Sequence, residues 1–376
     1  MKEGALVAPS FRINQRITMK KFLPIVLVIL CLCCFLVLLT SCNNGMIEKQ
    51  EYETRSQTIS YVHFNTVSTI SSYGDTDADE FANYVNVADE VLGHYHKLFD
   101  IYYEYAGMNN IKTINDNAGK SAVEVDSEII DFLLYCKQLY ELTNGKTNIM
   151  LGSVLRIWHD TRELADENGG YLDEKWLPTQ ENLSAAATHT SIELLVIDED
   201  AKTVYISDPE ASIDVGAIAK GYAANKLATK LKSLGADSMA INAGGNIITI
   251  GLKPNGNKWV TGITNPDKTA DNTLICKTEI GEISLVTSGN YERYFVSGSR
   301  NYHHIIDPAT LMPADYFASV SIFASDSALA DALSTALFCM SYEEGLATIQ
   351  RLGNIDAIWI YNDGTIKYTD GVLFAD

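Results

Sequence analysis

The residues from Asp214 to Tyr222 combine a carboxylate, a glycine and a lysine where a strand-like segment runs into a predicted helix. Unpaired N–H groups at a helix N-terminus attract anions. Lys220, one turn into the helix, would add positive charge to a phosphate or hold the loop. The pattern therefore indicates an anion site, although a plain strand-to-helix connection with a solvent-facing lysine accounts for it equally well.

A second candidate site lies near the C-terminus, where Asp331 and Thr335 occupy positions i and i+4 of a predicted helix. Side chains at this spacing lie on the same helix face. A carboxylate and a hydroxyl suit Mg²⁺, which binds oxygen atoms and keeps water or phosphate among its ligands. The alternative is an aspartate at a helix start and a threonine on a polar face.

Two adjacent histidines, His303 and His304, precede the turn residues Asp307 and Pro308. They supply a group that titrates near neutral pH. A zinc pair is disfavoured, because adjacent residues on a strand point to opposite faces. A purely structural histidine is the other interpretation.

A glycine pair interrupts strand-like sequence between Asn242 and Asn246. Such a pair is typical of a tight turn. It also occurs where a backbone lies against a flat ligand, and the residues alone leave both interpretations open.

The elements that must position these residues mix strands and helices without a regular βαβ alternation. We therefore expect an α+β fold with a mixed, largely antiparallel sheet core and flanking helices. Hydrophobic periodicity predicts helices at 81–100, 127–142, 217–235, 328–338 and 342–351. Strands are predicted at 61–70, 192–197, 203–206, 239–250 (two strands), 259–263, 283–287, 293–296, 320–323 and 357–361. Residues 160–191 are polar with little periodicity and read as an elaborated surface segment.

Composition excludes one class of function. The chain has 376 residues, 47% of them hydrophobic, and a formal net charge of −20. This charge argues against nucleic acid as a partner, because binding to its phosphates needs Lys and Arg to displace counterions. A bound polyphosphate would therefore have to be held by a metal ion, a helix N-terminus or backbone N–H groups.

The N-terminus has the pattern of an export signal. Lys20 and Lys21 precede an apolar run at 22–39 that ends in Thr40-Ser41-Cys42. This ending resembles a bacterial lipobox, in which the cysteine is lipidated; an uncleaved membrane helix is the alternative. We expect a signal peptide at 1–41, of which 1–18 need not be translated, since Met19 is a plausible start. A lipid-anchored flexible tether at 42–60 and a catalytic domain at 61–376 follow, on the extracytoplasmic side of the cell membrane.

In their order along the chain, these segments resemble one family, the ApbE-type FAD:protein FMN transferases. The resemblance covers residue 60 to the C-terminus and is carried by motifs in the following places: Phe99–Tyr102 with Ile114-Asn115, Thr143–Trp158, DxGxxAKGYA at Asp214–Ala223, the GGN strand at Asn242–Asn246, SGxYERYF at Ser288–Phe295, HHIIDP at His303–Pro308 and DAxxT at Asp331–Thr335.

The resemblance implies FAD in a cleft of an α+β domain, with Mg²⁺, or Mn²⁺ in its place, at the pyrophosphate. By motif position, the metal ligands would be Asp331, Thr335 and the backbone oxygen of Ala217. His304 and Asp214 would be the catalytic residues that accept a proton. The implied FAD contacts are as follows: Tyr102, Lys146, Thr147, Asn148, Asp214, Lys220 and Ile305.

The implied reaction transfers FMN from FAD to a Ser or Thr hydroxyl of an exported or membrane redox protein and releases AMP. The acceptor would carry a Ser/Thr-Gly-Ala-Ser/Thr-like motif. Two alternatives stay open: a pyrophosphatase that releases FMN and AMP, and a flavin-binding lipoprotein without turnover. The chain departs from the family pattern at Asn148, where many members have Asp, and at Ala243, where Leu is frequent.

Overall fold

A computed structural model describes residues 53–60 and 63–375 of the chain. The strands within these ranges are as follows: β1 (Thr54–Ser60), β2 (Val67–Tyr73), β3 (Val123–Glu124), β4 (Leu195–Asp198), β5 (Thr203–Ile206), β6 (Met239–Ala243), β7 (Asn246–Ile250), β8 (Trp259–Thr264), β9 (Leu274–Ile280), β10 (Ser284–Gly289), β11 (Tyr294–Ser297), β12 (Arg300–His303), β13 (Ser319–Ala324), β14 (Asp356–Ile360) and β15 (Ile366–Tyr368).

The helices in the same ranges flank these strands. They are α1 (Ala78–Phe99), α2 (Ile111–Asp116), α3 (Ser127–Leu142), α4 (Gly152–Glu167), α5 (Gln180–Ala187), α6 (Ala219–Ser233), α7 (Ser327–Phe338) and α8 (Tyr342–Leu352). Short 3₁₀ turns at Ile149–Leu151, Glu174–Trp176 and Ile192–Leu194 complete the regular structure.

An eight-stranded antiparallel sheet in the order β1-β2-β6-β7-β10-β13-β14-β15 forms the central layer. Every residue of β13 is buried, so both faces of the sheet are covered at its middle. Helix α6 packs against α1 and α7, and α7 also packs on β10 and β13. The predicted α+β class with a largely antiparallel sheet is confirmed.

Several predicted elements are found at the expected places. The helix predicted at 127–142 is α3, and the helix predicted at 81–100 is α1, which begins three residues earlier behind the N-cap Asp77. The glycine pair forms the two-residue turn of the β6–β7 hairpin: Gly244 and Gly245 have positive φ, and the Asn242 carboxamide accepts the Gly245 N–H at 2.8 Å. This is the primed turn that suits a hairpin.

Two parts of the sequence interpretation are wrong. The segment at 160–191, interpreted as an elaborated surface segment with little periodicity, contains the second half of α4 and all of α5. Helix α4 buries only one narrow face, and many polar residues lie between its buried positions, so its hydrophobic periodicity is hard to recognise. The buried side chains on this face are Val154, Trp158, Thr161 and Ala165. The predicted strand at 61–70 begins only at Val67, because the chain turns before it through Phe64 and Asn65, both at positive φ.

The predicted N-terminal features lie largely outside the described residues. This applies to the signal at 1–41, to Cys42 and to most of the tether at 42–60. Residues Thr54–Ser60, assigned to the tether, pair with β2 along its whole length and form the edge of the central sheet. Among the helices that the structure describes, none has the length and apolar character needed to cross a membrane.

Candidate active site

Helices α6 and α7 meet closely at Gly221. The Gly221 N–H donates to Asp331 Oδ2 at 2.9 Å, and the Lys220 ammonium lies 3.6 Å from the same oxygen. A Cβ at Gly221 would stand 2.3 Å from the Ser327 carbonyl oxygen and 2.8 Å from the Asp331 Cβ. Only glycine therefore allows the buried Asp331 carboxylate to reach the start of α6.

This contact changes the backbone hydrogen bonding before α6. Val215 O accepts from the N–H groups of Ile218 and Ala219, and Ile218 O accepts from Tyr222. A helix would then pair Gly221 N–H with the Ala217 carbonyl, but Gly221 donates to Asp331 instead. Within residues 53–60 and 63–375, no hydrogen bond to the Ala217 oxygen is found, so this carbonyl has no partner in the described part of the chain.

Thr335 lies one turn after Asp331 on α7 and is half-buried. Its hydroxyl is 3.4 Å from the Ser288 hydroxyl on β10. The Gly221 N–H and the Lys220 ammonium both lie on the Oδ2 side of the Asp331 carboxylate. Ala217, Gly221, Asp331 and Thr335 form what we call the helix corner. It offers a carboxylate, a carbonyl and a hydroxyl oxygen, which are the ligands that Mg²⁺ takes in proteins.

His304 lies within electrostatic reach of several positive side chains. Its ring is exposed, yet it stands in a recess where protein atoms replace part of its water. That desolvation lowers the pKa of His304, and the charge of Arg293 lowers it further, followed by smaller effects of Arg162 and Lys220. We call these four residues the cationic recess. In a chain of net charge −20, such a local cluster is suited to a polyphosphate.

His303, the neighbour of His304 in the chain, is buried and hydrogen-bonded on both ring nitrogens. Its Nε2 lies 2.7 Å from the Ala314 carbonyl, which can only accept, and its Nδ1 accepts the Ile305 N–H at 3.2 Å. The ring is therefore the neutral tautomer with the proton on Nε2. Burial lowers the pKa of His303, in agreement with this arrangement.

Asp214 and Tyr102 lie within electrostatic reach of Arg293 in the cationic recess. Asp214 is half-buried, its Oδ1 accepts the Gly216 N–H at 2.9 Å, and its own N–H donates to the Ile149 carbonyl at 2.8 Å. Burial raises the pKa of Asp214, while the Gly216 N–H, His159 and Arg293 oppose that rise. The exposed Tyr102 ring lies 5.4 Å from the His159 ring. Desolvation and the charge of Asp214 raise the pKa of Tyr102.

The remaining predicted FAD contacts bind protein atoms. The Lys146 ammonium pairs with the buried Asp307 at 2.8 Å, and the Thr147 hydroxyl donates to the Ala332 carbonyl at 2.7 Å. The backbone N–H and carbonyl of Ile305 are both hydrogen-bonded, to His303 and Ala314. These residues join the HHIIDP segment and α7 to the loop after α3.

Asn148 explains one departure from the family pattern. Its Oδ1 accepts the Met150 N–H and its Nδ2 donates to the Thr190 carbonyl, both at 2.9 Å. An aspartate could cap Met150 but could not donate to Thr190. Asn148 therefore holds the loop before β4 in a way that this chain requires.

The sequence interpretation did not single out four residues that the structure brings to the site, namely Arg162, His159, Arg293 and Ser288. Arg293 and Ser288 lie inside the SGxYERYF motif, so their neighbourhood was a usable signal. His159 and Arg162 come from α4, which was not predicted as a helix. Because residues 160–191 were interpreted as a surface segment, Arg162 was not recognised as a candidate site residue.

Comparisons with known proteins agree with this arrangement. The family model described as the ApbE family matches residues 64–359. The FAD:protein FMN transferase of Treponema pallidum is 31% identical over 277 residues, which are 70% of this chain and 74% of the relative. That of Klebsiella pneumoniae is 29% identical over 253 residues, which are 67% of this chain and 75% of the relative.

Solved structures show the same fold. The ApbE protein of Thermotoga maritima superposes with a TM-score of 0.72 and 27% identity, over 85% of this chain and 97% of that one. The flavin transferase ApbE of Vibrio cholerae gives a TM-score of 0.67 over 84% of this chain and 97% of its own. The ordered motifs thus identified the right family and the right class of enzyme. The chain belongs to the ApbE family and is a transferase.

Proposed function

We propose that this protein moves the FMN half of FAD onto a Ser or Thr hydroxyl of another protein. The hydroxyl oxygen attacks the FMN-side phosphorus, the pyrophosphate P–O bond breaks, AMP leaves, and the hydroxyl proton passes to the enzyme. The observation that carries this proposal is the meeting of an oxygen-rich helix corner with a cationic recess next to a neutral histidine. The names of the curated relatives point to the same reaction.

The ligand set proposed for a divalent cation is Asp331, Thr335 and the carbonyl of Ala217. It is supported by the Gly221 N–H, which binds Asp331 and leaves the Ala217 oxygen unpaired. Mg²⁺, or Mn²⁺ in its place, would neutralise charge that develops on the phosphate oxygens.

The positive groups of the recess would hold the FAD pyrophosphate. Lys220, Arg162 and Arg293 supply the charge that an acidic protein otherwise lacks. Desolvation and then the charge of these groups lower the pKa of His304, so its neutral ring would accept the hydroxyl proton. Asp214 is the second candidate acceptor, since burial raises the pKa of its carboxyl.

The flavin-side contacts remain predictions. Tyr102 is exposed beside Asp214 and offers an aromatic face. Lys146, Thr147, Asn148 and Ile305 would shape the pocket mainly through the loops that they tie together. Their polar groups already bind protein atoms.

We also propose that the protein is exported and anchored to the extracytoplasmic face of the membrane by a lipid on Cys42. Support comes from the basic, apolar and small-residue pattern at 20–42. This location would bring the enzyme to exported or membrane redox proteins as acceptors. Mass spectrometry of the membrane fraction tests it: a diacylated N-terminal Cys42 is expected, and an intact N-terminus at Met1 or Met19 would contradict it.

Hydrolysis of FAD to FMN and AMP is the second candidate function, because water reaches the exposed His304 in the same recess. The test incubates the protein with FAD, Mg²⁺ and a protein that bears the Ser/Thr-Gly-Ala-Ser/Thr motif. An acceptor heavier by one FMN, with AMP released, is the expected result. Free FMN and AMP with an unmodified acceptor would mean hydrolysis, and intact FAD would mean a flavin-binding protein without turnover.

A further inference from the structure

We propose that Ser288 is a positioning residue for the cation site: its oxygen accepts a hydrogen bond from the Thr335 hydroxyl, so that Thr335 presents its lone pairs to the cation. The inference rests on the proposed function insofar as Thr335 is a ligand. Ser288 lies on β10 in the central sheet, whereas Thr335 lies on α7, so the contact joins two separate elements.

The direction of each hydrogen bond follows from the number of protons. The Ser334 hydroxyl donates to the Asp331 carbonyl at 2.9 Å. A hydroxyl has one proton to give, so in the 2.8 Å contact between Ser288 and Ser334 the donor must be Ser288. The proton of Ser288 is then also committed. In the 3.4 Å contact between Thr335 and Ser288, the donor must therefore be Thr335.

The direction of these hydrogen bonds matters because a cation binds the lone pairs of a hydroxyl and is repelled by its proton. The i,i+4 spacing brings Asp331 and Thr335 to one face of α7 but leaves the Thr335 hydroxyl free to rotate. Ser288 favours the rotamer in which the hydroxyl points at it. The contact is long for a hydroxyl pair, so it contributes orientation more than stability.

The same arrangement is found at the other proposed ligands. The Gly221 N–H occupies Oδ2 of Asp331 and leaves the Ala217 carbonyl unpaired. Donors outside the ligand set thus decide which oxygen lone pairs face the site. Such outer partners typically change metal affinity about 10–100-fold when they are removed.

The neighbouring residue Thr287 provides a matched control. It lies on the same strand, and adjacent strand residues point to opposite faces of the sheet. Its hydroxyl is 2.8 Å from the Ser321 hydroxyl on β13. Ser288→Ala and Thr287→Val each remove one hydroxyl that pairs with another element, α7 for Ser288 and β13 for Thr287, but only Ser288 is hydrogen-bonded to Thr335.

The experiment measures Mn²⁺ binding by the loss of the free Mn²⁺ signal in electron paramagnetic resonance, with and without ADP as an unreactive pyrophosphate. Wild-type protein, Ser288→Ala, Thr287→Val, Thr335→Ala and the Ser288→Ala/Thr335→Ala double variant are compared. Ser288→Ala is expected to raise the Kd about 10–100-fold, and Thr287→Val less than about twofold. In the Thr335→Ala background, Ser288→Ala should have no further effect, because it acts through Thr335.

The inference is overturned if Ser288→Ala keeps the wild-type Kd, if its effect persists undiminished without Thr335, or if the wild type binds no Mn²⁺. Failure of the proposed function looks different. Mn²⁺ binding that depends on Ser288, in a protein that never modifies an acceptor, would retain the inference and reject the transferase reaction. FMN transfer by a protein whose Kd for Mn²⁺ does not change in Ser288→Ala would support the transferase reaction and reject the inference.

Discussion

The helix corner and the cationic recess are built in different ways. In the helix corner, a backbone N–H, a glycine without room for a side chain and a buried carboxylate interlock. In the cationic recess, the charges of long side chains from α4, α6 and the SGxYERYF segment act on the exposed His304. The helix corner is therefore held by buried contacts that the fold itself needs, whereas the recess consists of side chains at the surface of that fold. Substitutions that break the packing or the hydrogen bond of the helix corner should lower stability and activity together, and substitutions in the cationic recess should lower activity alone.

The largest effect is expected for Asp331. Asp331→Asn should reduce FMN transfer at least about a thousandfold and abolish the metal requirement, because a bound cation stabilises the transition state by several kcal/mol. The carboxamide oxygen can still accept the Gly221 N–H, so the melting temperature should change little. Asp331→Ala leaves that N–H unpaired and should cost about 1–3 kcal/mol of unfolding free energy in addition. Metal-dependent turnover at the wild-type rate in either variant would reject the ligand assignment.

His304→Ala tests the recess. We expect kcat to fall about a hundredfold or more, the usual effect of losing a positioned acid or base. Because the side chain is exposed, the free energy of unfolding should stay within about 0.5 kcal/mol of wild type. Single-turnover kinetics and urea unfolding measure the two quantities. A variant that loses stability in proportion to activity would show that the recess is built into the fold after all.

Gly221→Ala tests the packing of the helix corner. The new methyl group meets the Ser327 carbonyl at 2.3 Å, so α6 and α7 must separate, at a cost of about 1–3 kcal/mol in urea unfolding. Metal affinity should fall in parallel. Gly281→Ala is the matched control, since a Cβ there has no described atom within 4 Å. Equal stability of the two variants would contradict the proposed role of the close approach.

Tyr102→Ala should weaken FAD binding about 2- to 12-fold, because an aromatic contact is worth about 0.5–1.5 kcal/mol. Tyr102→Phe keeps the ring and should bind FAD like the wild type. Fluorescence quenching of FAD measures both affinities. Equal losses in the two variants would mean that the hydroxyl, and not the aromatic face, makes the contact.

The smallest effect concerns pH. His303 is held neutral, and its pKa lies below the ordinary value of 6.5. The unfolded chain therefore binds one more proton below that pH, and stability falls as the pH is lowered. The loss at pH 5.5 should reach at most about 1.4 kcal/mol relative to pH 7.5. His303→Gln should remove this part of the pH dependence, and an unchanged slope in urea unfolding would contradict the neutral assignment.

Local patterns predicted much of the fold. Helix α3 was predicted with its observed bounds, because its apolar residues repeat with the helical period. The β6–β7 hairpin followed from its glycine pair. Helix α4 was missed because it buries only a narrow stripe, and β1 because its seven residues are mostly exposed at the sheet edge and carry no apolar alternation.

The sequence by itself determined that Asp331 and Thr335 share a helix face, that a glycine and a lysine open α6, and that the ordered motifs belong to the ApbE family. Only the tertiary structure decided that the Gly221 N–H binds Asp331, 110 residues away, and so leaves the Ala217 carbonyl without a partner among the residues that the structure describes. It also decided that Ser288 and Arg293 reach the site. The physical reason is that periodicity reports which face of an element is buried, whereas the pairing of polar groups between elements depends on how those faces pack.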